Sequence, residues 1–219
     1  MSQLGFANRY VLALAIFGIV SLAAAGTAKA DIVVITQVNN QGTDNVLLNP
    51  ATDESTVTGT VGQNNLLVNF TSSSGSGLLS ADPSGQATVS GGTGNIDFTQ
   101  LTFGLANGDT FTRAVFNINA GDDGTVTIRV EGINIDGGAF EDTFTIDMNG
   151  QNFFTVTAIE GQLITSISLS TTDAFFEDVR QVRLGGADIE PIPEPASMIL
   201  LGTGLLGIAA GVRKRFGKK

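Results

Sequence analysis

The chain has 219 residues, with 21 Asp plus Glu against 11 Lys plus Arg, and it lacks His, Cys and Trp. Without His or Cys, Ser-His-Asp and Cys-His catalysis, disulfide cross-links and imidazole or thiolate zinc sites are excluded. Charged residues make up 15% of the chain, well below the roughly 25% of ordinary soluble proteins, while the two apolar termini raise its mean hydropathy.

Residues 1–30 hold 20 apolar residues. Arg9 gives a short positive region, residues 11–25 an apolar run of helix formers, and Ala28-Lys29-Ala30 the small-x-small pattern that signal peptidase accepts. The run is short for a membrane span and ends in a processing pattern, so residues 1–30 read as a signal peptide cut before Asp31. Export follows, and a chain without Cys must then be held together by packing alone.

Residues 31–190 carry 20 acids against four bases, Arg113, Arg129, Arg180 and Arg183, a formal charge of −16 without a single Lys. That balance removes nucleic acid and anionic lipid surfaces as partners, because both need a basic patch to neutralise phosphate. Divalent cations, and matrices that hold them, are the better electrostatic match.

The apolar residues of this body alternate instead of recurring every three or four positions. Strands are predicted at residues 32–38, 57–61 and 66–70. Residues 71–94, rich in Ser and Gly with Pro83 inside, read as a long mobile loop in which residues 87–90 could form a short edge strand. In residues 96–105 the apolar parity shifts between Phe98 and Leu101, which implies a β-bulge near Thr99 and Gln100. Residues 125–131 place Val126, Ile128 and Val130 on one face and Thr127, Arg129 and Glu131 on the other. Phe140, Phe144, Ile146 and Met148 continue the alternation, Asn149-Gly150 interrupts it, and Phe154, Val156 and Ala158 resume it. Asn-Gly between alternating runs predicts a type I′ hairpin, since both residues tolerate positive φ. A last strand is predicted at residues 175–184.

Turn signals at Asn107-Gly108, residues 120–124, Asp136-Gly137-Gly138, Asn149-Gly150 and Glu160-Gly161 then describe an antiparallel meander. Nine or ten strands without helical period predict an all-β, antiparallel β-sandwich of jelly-roll type, because one open sheet of that size would leave an apolar face bare. The eleven Phe residues of the body fall mostly on inward positions and read as core.

Of the usual catalytic arrangements only a carboxylate pair of the glycosidase kind is left, and among twenty acids no pair stands out, so no enzymatic activity is expected. Asp122 and Asp123 share one turn, Asn134 and Asp136 another, and Asp173, Glu177 and Asp178 lie near the last strand. These are oxygen ligands suited to Ca²⁺, although none completes a known calcium loop, and Asp and Asn favour turns for conformational reasons alone. No other cofactor is expected. A sugar-binding module competes on fold and destination, but the body lacks Trp and Tyr, the rings that combine a stacking face with a polar group. Arg180 and Arg183, set among acids, read as sheet partners and not as ligand clamps.

The C-terminus begins with Pro191-Ile192-Pro193-Glu194-Pro195, an extended strip that cannot join helix or sheet. Residues 196–212 follow without charge, and Arg213, Lys214, Arg215, Lys218 and Lys219 close the chain. Seventeen helical residues span about 25 Å, marginally enough for a transmembrane helix, and the basic end would stay cytoplasmic with the acidic body outside. Gly202, Gly204 and Gly207 spell a dinucleotide-loop pattern, but no strand precedes them, so that reading fails.

Through Pro193-Glu194-Pro195-Ala196-Ser197, the Gly-punctuated run at 198–211 and the cluster Arg213-Lys214-Arg215, this tail resembles the PEP-CTERM sorting signal of Gram-negative bacteria. The resemblance implies recognition of the Pro-Glu-Pro element by an exosortase-type membrane transpeptidase, cleavage nearby, and transfer of the body from the inner membrane to the cell surface or exopolysaccharide. Residues 152–186 are similar to the last strands of many proteins that carry this tail. The expected organisation is a signal peptide at 1–30, a β-sandwich at 31–190 and a sorting signal at 191–219, with a structural or adhesive role. A carbohydrate- or calcium-binding module is the alternative, and a glycan hydrolase the third reading.

Overall fold

A computed structural model of the chain describes residues 31–187, apart from 76, 85, 86, 94, 95 and 150. The signal-peptidase residues Ala28 and Ala30 and the whole sorting tail lie outside the described residues.

Alternation makes strands because each buries one side-chain row, and here two antiparallel sheets face each other across those rows. The strands are β1 (Ile32–Ile35), β2 (Asp44–Asn45), β3 (Leu47–Leu48), β4 (Ala51–Glu54), β5 (Thr56–Val61), β6 (Leu66–Thr71), β7 (Leu79–Asp82) and β8 (Thr88–Gly91). They continue with β9 (Gln100–Leu105), β10 (Arg113–Ala120), β11 (Gly124–Ile133), β12 (Ala139–Met148), β13 (Gln151–Ala158), β14 (Leu163–Ser170) and β15 (Phe176–Gly185). One sheet has the order β1-β13-β10-β15-β8-β7-β4, with β2 also on β15, and the other β12-β11-β14-β9-β6-β5-β3.

The second half of the chain follows one rule. β11 pairs with β12, β10 with β13, β9 with β14 and β8 with β15, so β8 to β15 form a single long antiparallel hairpin folded at residues 134–138. Successive rungs of that hairpin alternate between the two sheets, and winding it up adds the pairs β10·β15 and β11·β14.

The core follows from the alternation. Val126, Ile128 and Val130 are fully buried on β11. Phe70, Phe98, Phe103, Phe111, Phe116, Phe154 and Phe176 are buried as well. Phe70 and Phe103 from one sheet continue into Phe116 and Phe154 from the other, with ring centroids 5.8, 5.5 and 5.7 Å apart along the row. This aromatic bridge ties the sheets together where no cross-link is available.

Five local expectations change. Asn149-Gly150 does not close a hairpin: β12 and β13 belong to different sheets, so the chain crosses the sandwich there. The meander is for the same reason a winding between sheets, because an inward-facing apolar row looks the same whichever sheet it joins. The parity shift at Thr99 and Gln100 is also a crossing and no bulge. Phe98 bridges to Phe176 in one sheet, while Gln100 pairs with Ser170 in the other. The Ser- and Gly-rich stretch holds two strands, β7 and β8, whose Leu79 and Val89 are fully buried, and β8 is interior to its sheet. The first strand stops at Ile35, short of Val38.

Candidate functional site

The outer face of the first sheet is where the chain departs from a plain sandwich. Residues 36–43 run across it as a strap that β2 then continues in the plane of the sheet beside β15. The Asn39 N–H donates to Thr155 Oγ1 at 3.1 Å, and the Thr155 hydroxyl donates to the Gln37 carbonyl at 2.6 Å. Arg113 Nη1 reaches the Gln41 carbonyl at 2.6 Å. Arg183 donates to Thr43 Oγ1 at 3.1 Å, to the Thr43 carbonyl at 3.0 Å and to Asn45 Oδ1 at 2.6 Å. Gly185 is needed beneath the strap, since a Cβ there would lie 2.3 Å from the Gly42 carbonyl oxygen. The strap buries Val115 and Thr155, which point out of the sandwich yet are 2% and 1% exposed.

Between strap and sheet lies a cleft of about 390 Å³, bordered by Asn40, Asn45, Val115, Phe153, Gln181 and Arg183. Its geometry comes from an irregularity in β15. Opposite Val115 and Asn117 of β10 the register skips from Arg183 to Arg180, and within the skip Gln181 has φ +56°. A non-glycine residue in that region is strained and persists only where its surroundings hold it. Here the Gln181 N–H is held by the Ala87 carbonyl at 3.1 Å. Asn117, directly opposite Phe153 in the register, is 1% exposed and its Oδ1 has no hydrogen-bond partner among the described residues.

The same face carries a second, acidic cleft of about 470 Å³ lined by Asp82, Thr88, Ser90, Asp97, Glu177 and Asp178. Its carboxylates are largely spoken for. Asp178 forms a two-pronged ion pair with Arg180, and that contact raises the guanidinium pKa. Asn119 Nδ2 donates to Glu177 at 2.6 Å and to Asp178 at 3.2 Å. The Ser84 N–H, followed by its hydroxyl, holds the Asp82 carboxyl below its usual range.

The calcium candidates stand apart. Asp122 and Asp123 are exposed in the bend between β10 and β11, while Asp136 sits in the β11–β12 turn and accepts the Gly138 N–H at 3.1 Å. Asp178 is on the outer sheet face, paired as above. Among the described residues no three Asp or Glu side chains converge in a way that could hold a metal ion. Asp173, also near the last strand, fastens the β14–β15 connection: its carboxylate accepts the Thr125 N–H at 3.0 Å and the Thr125 and Thr171 hydroxyls. Arg180 pairs with an acid, Asp178, while Arg183 is held by the neutral groups of Thr43 and Asn45.

Sequence reasoning missed Asn40, Phe153 and Gln181. One signal was available: Phe153-Phe154 sits in an alternating strand, where only one of two adjacent rings can face the core. Phe154 is buried and Phe153 is only partly exposed, on the outer face.

No helix among the described residues is long and apolar enough to cross a membrane. No curated protein sequence matches the chain. Among solved structures, one match is CBM29_1, a family 29 carbohydrate-binding module from Piromyces equi, at 12% identity and TM-score 0.29, over 73% of this chain and 92% of that one. Another is the enzymatically active domain of tailspike protein 4 from bacteriophage CBA120, at 14% identity and TM-score 0.26, over 67% of this chain but 20% of that one. At these scores neither likeness bears on the fold or the ligand of this chain. The tail does find its family: residues 191–215 match the PEP-CTERM protein-sorting motif, so the chain carries that sorting signal behind its β-sandwich.

Proposed function

We propose that the protein is an exported envelope component, delivered by its PEP-CTERM tail to the cell surface or exopolysaccharide, where the acidic sandwich has a structural or adhesive role. The match at residues 191–215 carries this reading. In it, residues 1–30 are removed by signal peptidase at Ala28-Lys29-Ala30, and residues 196–212 hold the precursor in the inner membrane as a transmembrane helix. Arg213, Lys214 and Arg215 act as the stop on the cytoplasmic side. The Pro193-Glu194-Pro195 strip is the element recognised by an exosortase-type transpeptidase, and proline removes both the donor and the backbone freedom that a sheet or helix would use. The winding of β8 to β15 is read as a jelly roll, to which β1 and β3 to β7 add flanking strands. The role is non-catalytic and needs no resident cofactor.

The test is the C-terminal mass of the surface-exposed protein. Loss of residues 213–219 from the mature form is expected, and Glu194→Ala should leave the full-length chain in the inner membrane. A mature protein that still ends at Lys219 would overturn the sorting reading.

A further inference from the structure

The cleft under the strap is the feature the sorting role leaves unexplained. Its volume of about 390 Å³ lies within the range of roughly 300–1,000 Å³ of small-molecule sites. Its chemistry is neutral. The one charged side chain on its border, Arg183, engages three of its five N–H donors on Thr43 and Asn45. Asn40 and Gln181 border the cleft too, and neither side-chain amide has a hydrogen-bond partner among the described residues. Each therefore offers one carbonyl acceptor and two N–H donors to whatever enters.

Phe153, the partly exposed neighbour of a buried ring, supplies the aromatic surface, and Val38, Leu47 and Leu48 add aliphatic surface. The Gln181 strain is located at this cleft, and strained backbone gathers where a ligand is held. The buried, unpartnered Oδ1 of Asn117 lies on the same face, flanked by the cleft residues Val115 and Phe153. Anionic ligands are disfavoured, because the body carries −16 and no cation at the cleft is unengaged.

We propose that this cleft binds a neutral, hydroxyl-rich glycan segment, with the Phe153 ring as its platform and the Asn40 and Gln181 amides as its polar contacts. The assignment gives the adhesive half of the sorting reading a site, but it does not depend on sorting, because the unprocessed chain already contains the cleft.

The full chain, held in a detergent without a sugar headgroup, is titrated calorimetrically with a panel of neutral and uronate-bearing oligosaccharides. Neutral oligosaccharides are expected to bind. Phe153→Ala should weaken that binding about tenfold or more and Asn40→Ala several-fold, while Phe153→Tyr keeps it. If Phe153→Ala fails to fold by circular dichroism, Asn40→Ala on the exposed strap decides. Binding of no neutral oligosaccharide, binding of uronates alone, or wild-type affinity in Asn40→Ala each overturns the proposal. None of these results touches the C-terminal mass, so failure of the cleft and failure of sorting are separately visible.

Discussion

Asp173 shows how the acids of this body serve structure. The Thr125 N–H, with the Thr125 and Thr171 hydroxyls behind it, holds its carboxyl below the usual range, and the Thr93 hydroxyl and N–H do the same for Asp53. Both groups are solvent-exposed, so each effect is modest. The sign is fixed: a carboxylate with a lowered folded pKa stabilises above its unfolded value of 3.8 and loses that stabilisation as pH falls through the lower folded value. Asp173→Ala should therefore melt a few degrees below wild type at pH 7, with the gap narrowing below pH 4 in circular dichroism melts. Core residues respond on a larger scale. Phe116 is fully buried in the middle of the aromatic row, and Phe116→Ala should cost about 3–5 kcal/mol in urea denaturation.

At the level of elements, the positions of the long alternating strands were legible, while those of the short strands β2, β3, β4 and β7 and all strand partners were not. The two-residue period of Val126, Ile128 and Val130 is a local property of eight or so residues, and it places β11 correctly. Whether Asn149-Gly150 folds a hairpin or carries the chain across the sandwich depends on which edge is open when β13 arrives, and no short window contains that. The strap and its cleft were illegible for a sharper reason. Their bonds join residues 72 to 140 positions apart, as in Arg113 to Gln41 and Arg183 to Thr43. Arg113 and Arg183 looked like scattered cations among acids until the register set both under one segment. Arg183→Ala removes three contacts to the strap and β2 while β15 keeps its backbone ladder. Amide hydrogen exchange should then speed up at the Val46 N–H, which donates to the Val182 carbonyl at 2.9 Å, and stay unchanged at Ile128 in the other sheet.

The whole molecule is governed by its charge. Four arginines cannot offset twenty acids, and the described ion pairs, Arg129 with Glu131 and Glu141 and Arg180 with Asp178, occupy two of the four. Folding gathers the remaining carboxylates into one small body, so their repulsion opposes the compact state, and salt relieves it by shortening the Debye length from about 30 Å at 0.01 M to about 8 Å at 0.15 M. Screening also weakens the ion pairs, but they are few and mostly exposed, so repulsion decides the sign. The melting temperature should accordingly rise with NaCl over that range. CaCl₂ at matched ionic strength discriminates between a screened surface and a built site. Asp122, Asp123, Asp136 and Asp178 do not converge, so calcium should raise the melting temperature smoothly. A saturable step at sub-millimolar Ca²⁺ would show that a carboxylate cluster assembles around the ion.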